Sequence, residues 1–230
     1  TVEDAQLEAE RDIIIYHGFV GRGRGLVKAG RNVILSFALH QNLEAGDSIL
    51  FYKEMMGTSC KAGGKILSVK GGIIGGRAEA LEKISIKFAG SEEAVKTDLM
   101  VGNWKPLNLR KLEVEEEIKA LQKKLEEGKK RLYELIRRQI DKKTTPEEDE
   151  ELLRLQDEKK QLPEEIAELE SELESLNNAI QKGKNAIIEI SGTIYERVGI
   201  YISDANMMMT RKKVRKRFRL LGDSIDMTTG

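Results

Sequence analysis

Cysteine, histidine and aromatic side chains are scarce in this 230-residue chain, and each shortage closes off a class of chemistry. A single cysteine, Cys60, excludes an intrachain disulfide and offers no metal-binding cluster. Two histidines, His17 and His40, leave little imidazole for acid–base work. Aromatics make up 5% of residues, few for a compact enzyme. No apolar run reaches about 18 residues, so no membrane-spanning helix is expected. No signal peptide is visible, and the chain starts at Thr1 without methionine, as an excised fragment would. A cytoplasmic location is the default expectation, with neither cofactor nor metal.

Charge and glycine are plentiful. Charged residues make up 34% with zero net charge, which suits long solvated helices. That balance averages over three regions. Residues 1–104 are rich in Gly, Ile and Val, residues 107–183 in Leu, Glu and Lys with almost no turn signals, and residues 184–230 return to β-type composition. A helical insert therefore interrupts one β unit, which the last segment completes.

The first region carries a degenerate repeat. Its copies begin at Leu7, Val27, Leu43, Cys60 and Ala78, each with alanine at the third position (Ala9, Ala29, Ala45, Ala62, Ala80). Four residues later comes Ile13, Val33, Ile49, Ile66 or Ile84. Short repeats with a β run after a turn predict a solenoid of stacked rungs. No one rung buries its apolar face alone, so the stack is the stable unit. The spacing is uneven and lacks a six-residue period, which favours a right-handed parallel β-helix over the left-handed hexapeptide type.

The middle region predicts two helices in an antiparallel coiled-coil hairpin. Apolar residues recur at alternating three- and four-residue steps, from Leu107 to Leu135 and again from Leu152 to Ile180. The turn falls near 141–146, where Thr145, Pro146 and Glu148 form a capping box opening the second helix. Residues 107–143 hold 12 Lys/Arg against 8 Asp/Glu, a net of +4, and residues 144–183 hold 4 against 13, a net of −9. Opposite arms attract. A turn centred near 143–144 would set Gly128 opposite Lys159, and Pro163 should kink the second arm.

The glycine-rich stretches, Gly21-Arg-Gly-Arg-Gly25 and Gly71-Gly-Ile-Ile-Gly-Gly76, raise the question of a phosphate cradle. A P-loop needs Gly-Lys-Ser/Thr between strand and helix, and Gly76 is followed by Arg77-Ala78 in a β rung. Solenoid corners explain these glycines better, with Lys70 and Arg77 facing solvent. His17 with His40, or Glu44, Asp47 and Glu54, could serve a β-helical enzyme acting on carbohydrate or acyl substrates, but isolated surface groups are the simpler account. Cys60 reads as a core filler, and Met207-Met208-Met209 as core packing. The run from Arg211 to Arg219 holds seven cations in nine residues and would suit nucleic acid, an acidic membrane or an acidic protein partner. Its alternation of Val214, Phe218 and Leu220 with arginines also suits a half-buried edge strand.

Taken together, the 14–25 segment, the Val27–Val33 repeat, Gly71–Gly76, Ala89-Gly90-Ser91, Lys96-Thr97-Asp98 and Val101-Gly102 resemble the flagellar assembly protein A (FapA) family, also called domain of unknown function 342. The resemblance spans nearly the whole chain. It implies a bacterial β-helix with a coiled-coil insertion, a role in flagellar assembly or polar placement, and no established active site. The chain departs from the family pattern at Ala78-Glu79-Ala80-Leu81 and at Val198-Gly199.

The expected function is a non-enzymatic scaffold or adaptor, located in the cytoplasm and by resemblance at the cell pole. It would bind a protein partner or a second copy, with nucleic acid the less favoured ligand. The expected contact residues are Lys142, Lys143, Glu147, Glu148 and Asp149 at the hairpin tip, and Arg211, Lys212, Lys213, Arg215, Arg217 and Arg219 on the basic segment.

Overall fold

The computed structural model describes residues 1–141, 143 and 145–229. Among them the fold is a β-solenoid of about six turns with two helices that contact each other. Eighteen strands are present among these residues. The first nine are β1 (Val2–Glu3), β2 (Gln6–Ala9), β3 (Ile13–Val20), β4 (Leu26–Ala29), β5 (Val33–Leu39), β6 (Asn42–Ala45), β7 (Ser48–Phe51), β8 (Glu54–Ala62) and β9 (Lys65–Leu67). Then come β10 (Gly72–Ala80), β11 (Lys83–Ile86), β12 (Phe88–Ala89), β13 (Thr97–Val101), α1 (Lys105–Ile140) and α2 (Pro146–Lys184). The chain ends with β14 (Ile187–Ile194), β15 (Val198–Ile202), β16 (Ala205–Met208), β17 (Lys213–Leu221) and β18 (Ser224–Thr229). Two compact units result, one of Thr1–Trp104 with Gln181–Gly230, the other of Lys105–Ile180.

In the solenoid unit the repeat becomes register. On the first face Leu7, Val27, Leu43, Cys60 and Ala78 align on successive parallel strands, and so do the five repeat alanines. The column continues through Leu99 and Ile200, two copies that the repeat pattern does not reveal. There the third position is Val101 or Ile202 rather than alanine, and the sixth corner is opened by the helical insertion. Gly102, following Val101 as Gly30 follows Ala29, is the surviving signal.

On the second face Ile13, Val33, Ile49, Ile66, Ile84 and Ile188 align in turn. From Val33 onward these side chains are fully buried, whereas Ile13 has a neighbouring rung on one side and stays half-buried. Burial of one such side chain is worth roughly 1.5–3 kcal/mol. The third face holds Phe19, Ala38, Met55, Ile73, Ala89 and Ile194. Large and small residues alternate irregularly there, so packing volume defines this column and no residue type marks it in the sequence.

Corners explain the Ala-Gly pairs. The amides of Gly30, Gly46 and Gly63 donate to the carbonyls of Ala9, Ala29 and Ala45 at 2.8, 2.9 and 2.9 Å. A Cβ on Gly46 would collide with the Gly30 carbonyl, and one on Gly63 with the Gly46 carbonyl. Leu81 breaks this glycine column, and its side chain lies beside Gly183, where a Cβ would meet Leu81 Cδ1 at 2.9 Å.

Parallel stacking stops at β15. β16 pairs antiparallel with β15, β17 with β14, and β18 with β17. Phe218, opposite Ile188, is fully buried against the last rung. The basic segment is therefore not an edge strand as its alternation suggested. β17 is paired on both sides, β18 takes the edge, and Val214 is 59% exposed.

The helical unit is held by its apolar seam. Leu132 and Leu135 pack with Leu152 and Leu155, while Val114 and Ile118 pack with Ile166. Ion pairs between the helices join Arg131 to Glu151, Lys124 to Glu158 and Arg110 to Glu172, at 2.9, 3.3 and 2.9 Å. Each of these pairs is centred on residue 141, so the helices run antiparallel. Nearer the tip Arg138 meets Glu148 and Gln139 meets Asp149, contacts centred on 143 and 144. A Cβ on Gly128 would lie 3.5 Å from Leu155 Cδ2, and Lys159 is exposed. The capping box forms: Glu148 N donates to Thr145 Oγ1 at 3.3 Å, and Thr145 N donates to Glu148 Oε2 at 3.1 Å. α2 runs unbroken through Pro163, whose ring is exposed.

Candidate interaction surfaces

The glycine stretches prove to be packing devices. Gly75 and Gly76 have φ of +68° and +81°, and the Gly75 amide donates to Thr97 Oγ1 at 2.8 Å. A Cβ on Gly76 would strike the Thr58 carbonyl of the preceding rung. Gly21 and Gly25 leave room for the buried amide of Gln41, whose Nε2 donates to Asp4 Oδ1 at 3.1 Å. Hydrogen bonds from the Arg22 amide and from Gln41 hold the Asp4 carboxyl below its usual range. Lys70 and Arg77 are exposed.

The groups weighed for catalysis are dispersed. His17 follows the second face of its coil, whereas His40 lies at the corner after the third face with φ of +50°. Glu44 points outward from the first face, Asp47 sits at the next corner, and Glu54 opens a third-face strand. All five are exposed. The described residues contain no group of three or more His, Cys, Asp or Glu able to hold a metal. Cys60 lies in the core column, and burial pushes its thiol up to about 12, so it stays protonated and unreactive in the folded chain.

The basic segment divides in two. Arg217 pairs with Glu189 at 2.6 Å, Arg219 with Asp226 at 3.0 Å, and Lys212 with Glu92 at 3.5 Å. The Lys212 ammonium also lies 4.8 Å from the centre of the Tyr195 ring. Burial raises the Glu189 carboxyl, but the hydrogen bond from Lys83 and the charges of Lys83 and Arg217 outweigh it, leaving the group below its usual range. Arg211, Lys213 and Arg215 make no ion pair among the described residues. Three of the six named cations are thus engaged within the fold, and three make no ion pair among the described residues. Of the neighbouring methionines Met209 is buried in the core, Met207 is half-buried and Met208 is 46% exposed.

At the hairpin tip Glu148 is engaged by the cap and by Arg138, and Asp149 accepts from Gln139 Nε2 at 3.4 Å. Lys143 lies 3.8 Å from Asp141, and Glu147 is exposed. Lys142 lies outside the described residues.

One surface escaped the sequence reading. Outward-facing Ile14, Ile34, Leu50 and Leu67 align on successive second-face strands. Its signal was the aliphatic doublets Ile13-Ile14, Val33-Ile34, Ile49-Leu50 and Ile66-Leu67, where strict alternation calls for a polar residue.

No curated protein and no solved structure matches the chain. A family model does, over residues 1–225, described as the Flagellar Assembly Protein A beta solenoid domain. The match covers nearly the whole chain, and the chain belongs to the FapA family.

Proposed function

We propose that this chain is a non-enzymatic adaptor in flagellar assembly or polar placement, working through protein contacts in the cytoplasm at the cell pole. Family membership supplies the process. The observation that carries the adaptor reading is the insertion itself. Helices of 36 and 39 residues enter at one solenoid corner, yet Val101 still stacks directly on Ile202 across them. The solenoid ladder closes without them, so their length serves something other than stacking. The hairpin tip around Lys143 and Glu147 is one contact surface, and Arg211, Lys213 and Arg215 form a second that suits an acidic protein face.

Replacing residues 115–175 with a short linker tests this in a pull-down from a flagellated bacterial lysate. Circular dichroism should retain the β signal while a flagellar component captured by the intact chain is lost. Undiminished capture by the shortened chain would exclude the hairpin. Charge reversal at Arg211, Lys213 and Arg215 then tests the second surface on the same captured protein.

A further inference from the structure

The outward faces of the solenoid differ in chemistry. On the first face Glu8, Lys28, Glu44, Lys61 and Glu79 stand in register, one above the next. Opposite charges alternate along that column, so it neutralises itself, as the 3.1 Å Lys28–Glu8 pair illustrates. The second face instead carries the aliphatic column ending at Leu67. At the corner that follows, Tyr16, Tyr52 and Val69 project with exposures of 88%, 67% and 88%. These tips share one corner of the first, third and fourth coils, a ridge interrupted by Ser36 on the second. The adjoining third face extends the apolar surface through Phe37 and Phe88, whose rings lie over Gly18 and Gly72.

Lysines flank the same ridge. Lys53, Lys70 and Lys87 occupy this corner on successive coils, all exposed and without an ion pair among the described residues. Glu54 adjoins Lys53, leads into the third face and makes no pair with it. A shallow groove of about 610 Å³ runs beside the ridge, lined by Leu50, Tyr52, Leu67, Val69 and Lys70 among others.

We propose that this corner is a peripheral membrane-binding edge that seats on an anionic lipid surface. Apolar tips that project beyond the backbone fit an acyl–headgroup boundary, which has no fixed shape to match. Tyrosine suits that boundary because its ring is apolar and its hydroxyl stays wet. Lysine ammoniums at the same height reach anionic headgroups while their stems lie along the apolar ridge. The self-neutralised first face has no such attraction, so the solenoid binds on one side. This reading goes beyond the adaptor role and uses none of its contact residues.

Vesicle flotation provides the test, with phosphatidylcholine vesicles made with and without phosphatidylglycerol. The chain should bind the anionic vesicles at low salt and release at high salt. K53Q/K70Q/K87Q should lower partitioning on the order of a hundredfold, and Y52S/V69S by about tenfold or more. All five positions are exposed, so thermal melts should match the unchanged chain. Because Cys60 is buried, V69C can be labelled selectively with an environment-sensitive dye. The dye should shift to the blue on anionic vesicles at position 69, and show no shift when carried by K61C on the first face. Failure to bind anionic vesicles at low salt overturns the proposal. So does binding that Y52S/V69S leaves unchanged, or that is lost only on charge reversal at Arg211, Lys213 and Arg215. Saturable capture of an acidic amphipathic peptide at this edge, without vesicle binding, would assign it to a protein and equally overturn it.

Discussion

Gly46 and Gly222 separate two reasons for glycine. At Gly46 the obstacle is the Gly30 carbonyl of the rung below, which leaves no space for a Cβ. At Gly222 nothing lies within 4 Å, and the constraint is φ of +63° in the β17–β18 turn. Gly46→Ala should therefore force two rungs apart and cost about 1–3 kcal/mol, as overpacking does. Gly222→Ala should cost about 1–2 kcal/mol from backbone strain alone. Urea unfolding would measure both, and hydrogen exchange should show added opening around β4 and β6 only for Gly46→Ala. The repeat alanine Ala45 places Gly46 just after it, but the colliding atom belongs to a residue sixteen positions earlier. Likewise the role of Gly21 and Gly25 depends on Gln41, which no local pattern connects to them.

Among the elements, β14 and α2 carry informative ionisable and conformational features. Glu189 on β14 joins Lys83 on β11 to Arg217 on β17. Its folded pKa is depressed, so the stabilisation is present above the ordinary glutamate value near about 4.3 and is lost as pH falls through the folded value. Glu189→Gln should lower stability at neutral pH and flatten the acid limb of a pH–stability profile from thermal melts. In α2, Pro163 removes one helical hydrogen bond at an exposed site. Pro163→Ala should stabilise the helix by up to about 3 kcal/mol, seen as increased helical dichroism and slower exchange over the preceding turn. Helix existence, cap and charge asymmetry were all legible, because they depend on neighbours within a turn. The individual ion pairs between the helices were not, because Arg131–Glu151, Lys124–Glu158 and Arg110–Glu172 form across the seam between residues far apart in the chain.

For the whole molecule, the decisive feature is how the solenoid ends. A parallel rung leaves an unpaired edge, and β17 covers that of β14 while β16 covers that of β15. Truncation after Met209 would strip β17 and β18 and expose Ile188, now covered by Phe218. The shortened chain should self-associate through β14, detectable as higher species in sedimentation velocity and as increased light scattering. Retention of a monomer by the truncated chain, alongside an unchanged monomeric parent, would show that the antiparallel strands are dispensable as a cover.

The sequence by itself determined the solenoid and the five repeat copies, along with the two helices and the cap between them. Each follows from a spacing or a local hydrogen bond that recurs along the chain. Only the tertiary structure decided the sixth and seventh rungs, the volume-packed third face, the ion pairs across the helical seam and the place of the basic strand in mid-sheet. Those depend on which surfaces meet after the chain has closed loops of tens of residues, and volume and charge complementarity across such distances leave no periodic trace.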